Sequence, residues 1–74
     1  MKKGTQVILN VNSCIGDLIF SKLSDENWKL NDNPIGMVGT IYQIGNKKMN
    51  SLPVLVMWAN GLTNSYDYKN LIEL

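Results

Sequence analysis

Hydrophobic and polar positions alternate along much of this chain with the period of two that a half-buried β-strand requires. The first such run is Gln6-Val7-Ile8-Leu9-Asn10-Val11, which sets Val7, Leu9 and Val11 on one face and Gln6, Ile8 and Asn10 on the other. A second runs from Met37 to Ile44; Gly36 and Gly39 mark its start, and Val38, Thr40, Tyr42 and Ile44 share a face. Pro53-Val54-Leu55-Val56-Met57-Trp58 is the most apolar stretch. It is too short for a stable helix and long enough for a central strand, with Pro53 at the first position, where a missing N–H is tolerated. Thr63-Asn64-Ser65-Tyr66 predicts a return strand and Leu71-Ile72-Glu73-Leu74 a short last one.

The connections are equally informative. Asn60-Gly61 is the strongest hairpin signal in the chain, since both residues tolerate the positive φ that a type I′ turn demands. Gly39 inside a strand marks a bulge or a close backbone approach. Gly45-Asn46-Lys47-Lys48 begins a polar turn, and Asp67-Tyr68-Lys69-Asn70 reads as a single helical or 3₁₀ turn. Residues 12 to 36 form a long irregular segment ending in Asn31-Asp32-Asn33-Pro34, where Pro34 pushes Asn33 out of the helical region. Within it, Ile15, Leu18, Ile19 and Leu23 fall at helical spacing, and Asp17 and Lys22 suit a helix dipole. A short helix and a strand-like leg over residues 18 to 22 both remain open; the short run and its Ile and Phe content favour the leg. Five short strands bury a core only by curling the sheet onto itself. The expected fold is all-β: one domain over residues 1–74, a small five-stranded SH3-like barrel with a long first loop and a single 3₁₀ turn before the last strand.

Composition narrows the chemistry. The chain has 74 residues, a net charge of +1, no His and one Cys, which removes His-based acid–base catalysis, Cys–His nucleophiles and ordinary zinc sites. The lone Cys14 cannot form an internal disulfide, which fits a reducing cytoplasm. Cys14 has no cation beside it in sequence to activate it, and an idle thiol is expected. All seven basic residues are Lys, so the bidentate Arg contacts that read guanine or grip phosphate are absent. No stretch approaches the roughly 18 apolar residues of a membrane span, and no apolar run follows Lys2-Lys3 as in a signal peptide. The carboxylates Asp17, Asp25, Glu26, Asp32, Asp67 and Glu73 are not spaced as an acid–base pair or a calcium loop. No catalytic residue, metal site or cofactor is expected.

The aromatic residues point to binding. Trp and Tyr join apolar area to a polar tip and suit half-exposed grooves. Trp28, Tyr42, Trp58 and Tyr68 are the candidate protein-binding residues, with Trp28 on the long first loop as the anchor. Each has a competing structural role: Trp28 as a plug over the barrel mouth, Trp58 as core or rim.

The C-terminal half, residues 33 to 74, resembles the mind bomb/HERC-type SH3-like domain, as found in small proteins of large tailed phages. Its marks are Gly36, Gly39-Thr40, Val54, Val56, Trp58-Ala59-Asn60-Gly61, Asn64, Tyr66 and Leu71. The chain departs from the family at Ala59, where an acidic residue is frequent, and near Asp67, where a basic one is. Within the motif, Gly39, Asn60, Gly61, Asn64 and Tyr66 are expected to build the fold, with the Tyr66 hydroxyl bonded to backbone. Together these features imply a small non-catalytic protein-binding module, modulating a host or phage protein. The alternatives are a nucleic-acid-binding SH3-like or Tudor-like module, with Lys2, Lys3, Lys47, Lys48 and Lys69 on phosphates, and a self-associating homo-oligomer.

Overall fold

The computed structural model describes residues 1–13, 21–22 and 32–74. Strand β1 (Gln6–Leu9) is followed by two short strands, β2 (Ser21–Lys22) and β3 (Pro34–Ile35), which pair in parallel. Then come β4 (Gly39–Ile44), β5 (Val54–Trp58), β6 (Thr63–Tyr66), a 3₁₀ turn (Tyr68–Asn70) and β7 (Leu71–Glu73). The main sheet is antiparallel, five-stranded and open, in the order β6-β5-β4-β1-β7, so the last strand lies beside the first. The all-β expectation holds among the described residues, as do the five main strands and the 3₁₀ turn before the last. Within the long segment Ser21–Lys22 is a strand; the residues at helical spacing, Ile15, Leu18, Ile19 and Leu23, lie outside the described residues.

The core follows from the alternation. Val7 and Leu9 on β1, Ile41 on β4, Val54, Val56 and Trp58 on β5, Tyr66 on β6 and Leu71 on β7 are buried together, with Met37 just ahead of β4. Val11 does not join them. The strand stops at Leu9, the chain turns as the Ser13 amide donates to the Asn10 carbonyl (3.1 Å), and Val11 is exposed.

In β4 the inward positions are Gly39 and Ile41, while Val38, Thr40 and Tyr42 face out. The register shifts between Ile41 and Gln43, where the pairing runs Ile41 to Val56 and then Gln43 to Leu55. This bulge spends one extra residue, so Tyr42 and Gln43 both stay exposed and Ile44 returns to the core face. The expectation that Ile44 shares a face with Val38, Thr40 and Tyr42 therefore fails.

The β5–β6 turn also departs from the type I′ expectation. Only Gly61 has positive φ, at +86°; Asn60 does not. The Gly61 amide donates to the Trp58 carbonyl (2.9 Å) and the Trp58 amide to the Leu62 carbonyl (2.8 Å). This is a three-residue loop closed by a left-handed glycine, the next most common hairpin solution after the two-residue turns. Asn60 serves through its side chain, whose Oδ1 accepts from the Leu62 amide (3.0 Å).

Candidate functional site

Of the two roles open to Trp58, binding contact and core or rim, the structure shows the core. Trp58 is 2% exposed, and its ring meets the Tyr66 ring edge-on with centroids 5.7 Å apart. Its Nε1–H donates to the Asp32 carbonyl (2.9 Å) and toward the Tyr66 hydroxyl oxygen (3.2 Å). The Tyr66 hydroxyl in turn faces two acceptors, the Asp32 carbonyl (2.6 Å) and Asn33 Oδ1. Asn64 Nδ2 donates to the same Asn33 Oδ1 (2.9 Å), and Asn64 Oδ1 accepts from the Ser65 amide (2.8 Å). Burial pushes the Tyr66 phenol up to about 12 against the opposing hydrogen bonds of Trp58 and Asn64, with the Asp32 charge adding to the rise. The Trp58, Asn64 and Tyr66 motif is thus a clamp. Three side chains of one hairpin hold the Asp32 carbonyl and the Asn33 side chain against the sheet, and the expected bond from the Tyr66 hydroxyl to backbone is there.

Gly39 belongs to the same construction. It pairs with Trp58 across the sheet, and a Cβ there would lie 2.6 Å from Trp58 Cε3 and 2.5 Å from Val56 Cγ1. The Trp58 ring lies over bare backbone, which is the close approach the sequence suggested.

Two polar residues that sequence reasoning missed complete the scaffold. Asn33 is buried within the clamp, and Asn70 is 1% exposed at the end of the 3₁₀ turn. Asp67 caps that turn by accepting from the Tyr68 amide (2.8 Å), and Asn70 Oδ1 accepts from the Asp67 amide (2.9 Å), a reciprocal capping box. Asn70 Nδ2 reaches Ser13 Oγ (3.2 Å), tying the turn to the end of β1. The spacing Asp67-x-x-Asn70 was the available signal. Lys47 ammonium lies 3.1 Å from the Asp67 carboxylate, and this hydrogen-bonded partner, helped by the Tyr68 amide, holds the carboxyl below its ordinary range. The pairing links the β4–β5 turn to the 3₁₀ turn.

The other candidates separate. Tyr68 is partly exposed on the 3₁₀ turn. Tyr42 is 52% exposed on the outward face of β4, away from the buried Trp58 ring, with the Lys3 ammonium 5.9 Å from its ring centre. Trp28 and Cys14 lie outside the described residues. Along the same outward face as Tyr42 runs a shallow depression of about 380 Å³ lined by Gln6, Val38, Thr40, Met57, Trp58 and Ala59. Thr40 stands at its centre, paired with Gln6 on one side and Met57 on the other. Val38 and Met57 are exposed to 38% and 40%. No group of three or more Cys, Asp or Glu side chains able to hold a metal occurs among the described residues, and no helix there is long and apolar enough to cross a membrane. Compared with known proteins, the chain matches no family model, and neither a curated protein nor a solved structure shows significant similarity to it.

Proposed function

We propose that this chain is a small non-catalytic protein-binding module with an SH3-like barrel fold, related to the mind bomb/HERC-type domain and made by a phage to modulate a host or phage protein in the cytoplasm. The return of the last strand to the side of the first supports the barrel reading. The observation that carries the binding reading is the outward sheet face, where Val38, Tyr42 and Met57 are exposed together beside polar Gln6 and Thr40. Exposed apolar side chains grouped together and rimmed by polar ones are the kind of surface a protein partner covers. Tyr68, and Trp28 on the long loop, are further candidate contacts. The nucleic-acid alternative draws less support: Lys47 is engaged by Asp67, and among the described residues the exposed rings, Tyr42 on β4 and Tyr68 on the 3₁₀ turn, stand on separate elements rather than in a row of stacking platforms.

Affinity capture from host lysate with the full chain, with and without nuclease, tests the reading. A captured protein that survives nuclease and raised salt, and is lost with Tyr42→Ala, supports it. Recovery of nucleic acid alone, falling steeply as salt rises, would replace it with the nucleic-acid module.

A further inference from the structure

We infer that the outward face of β4 and β5 takes an extended partner segment in which an acidic residue sits beside a large apolar one. The inference rests on the protein-binding reading and adds the chemistry and location of the contact. Its apolar part is the depression bounded by Val38, Met57 and Ala59. At about 380 Å³ it lies at the low end of ligand clefts and suits one or two side chains rather than an enclosed small molecule. Its polar part is the Gln6–Thr40 cross-strand pair, whose amide and hydroxyl offer donors and acceptors on the same face.

The charge preference comes from the N-terminal arm. Residues 4 and 5 extend the pairing of β1 with β4, as the Gly4 amide donates to the Ile41 carbonyl (2.8 Å) and the Ile41 amide to the Thr5 carbonyl (2.9 Å). This places Lys3 beside Tyr42, two residues along the outward face from Thr40. No lining residue of the depression carries a charge. Glu73, the acidic residue of the neighbouring edge strand, faces the N-terminal amine at 3.6 Å, and among the described residues no carboxylate pairs with Lys2 or Lys3. Among the described residues, the corner beside the apolar depression is therefore positive. A carboxylate meeting Lys3 gains a charge-assisted bond, and the adjoining apolar side chain of the same segment drops into the depression. Among the described residues, Lys3 and the Tyr42 ring at one end of this face do not make the continuous basic groove that single-stranded nucleic acid requires.

A random twelve-residue peptide display library panned against the immobilised full chain tests this. The expected result is enrichment of Asp or Glu adjacent to Leu, Ile, Phe or Met. A synthetic peptide of the strongest such sequence should bind about tenfold more weakly to Met57→Glu and to Lys3→Glu. Met49→Glu, at the exposed tip of the β4–β5 turn, should bind like the parent, and amide NMR spectra should show all three variants folded. Enriched peptides that are basic or charge-indifferent, or that bind Met57→Glu as tightly as the parent, overturn this face while leaving the protein-binding reading standing. Failure to enrich any peptide, or displacement of the peptide by a thymidine oligonucleotide at physiological salt, overturns both.

Discussion

Gly39→Ala probes the packing of the Trp58 ring on bare backbone. The added methyl would lie 2.5 Å from Val56 Cγ1 and 2.6 and 2.8 Å from the Trp58 ring carbons Cε3 and Cζ3, well inside van der Waals contact. The Trp58 ring is held at its far side by the Asp32 carbonyl and the Tyr66 hydroxyl, so it cannot withdraw without lengthening those bonds. Overpacking of this kind costs about 1–3 kcal/mol, and a weakened hydrogen bond adds roughly 1 kcal/mol. The reduced freedom of the unfolded chain gives back about 0.4–1 kcal/mol. The net expectation is a loss of about 2–3 kcal/mol, against a total of about 4–11 kcal/mol for a 74-residue domain. Urea unfolding followed by far-UV circular dichroism measures it. The control is Gly45→Ala, where the new Cβ would meet only the Pro53 carbonyl at 3.6 Å; it should be neutral or slightly stabilising. A cycle with Trp58→Leu should show positive coupling, the alanine costing less once the ring is gone. A Gly39→Ala protein as stable as the parent, or one with the same loss in both backgrounds, would refute the account of Trp58 packed on bare backbone.

Gly61→Val places a β-branched side chain at φ +86° and should lower stability by more than about 1 kcal/mol in the same assay; an unchanged midpoint would mean the turn can adopt another form. Asp67 is held below its ordinary pKa by Lys47, so its contribution is present above about pH 4 and is lost as pH falls through the lowered value. Asp67→Asn should flatten that acid limb of the melting-temperature profile. Tyr66 runs the other way: the unfolded phenol ionises near 10 and the folded one near 12, so stability holds below pH 10 and falls as pH rises toward 12. Tyr66→Phe should be less stable at neutral pH, where it lacks the clamp, and should show a shallower alkaline decline.

Local chemistry determined a good part of this molecule. The apolar run ending at Trp58, the Asn60-Gly61 turn and the Asp67 to Asn70 turn were all legible, because their signals lie within a few residues and their partners are neighbours. Period-two alternation located β1 and β4 for the same reason. What the alternation could not say is where it breaks. The bulge after Ile41 depends on how β5 is registered against β4, and that shift alone returns Ile44 to the core and keeps Tyr42 and Gln43 outside. The role of Trp58 was likewise a tertiary decision. Its ring is drawn inward by three distant features, bare backbone at Gly39, the Tyr66 ring and the Asp32 carbonyl, which the sequence spreads over 34 positions. Asn33 and Asn70 looked like ordinary turn residues, since a side-chain amide has the same local signal whether it faces water or a buried hydroxyl. The candidate surface of Val38, Met57 and Ala59 beside Gln6 and Thr40 has no contiguous trace in the chain. It exists because antiparallel pairing brings three strands side by side, and pairing is a property of the folded sheet rather than of any one strand.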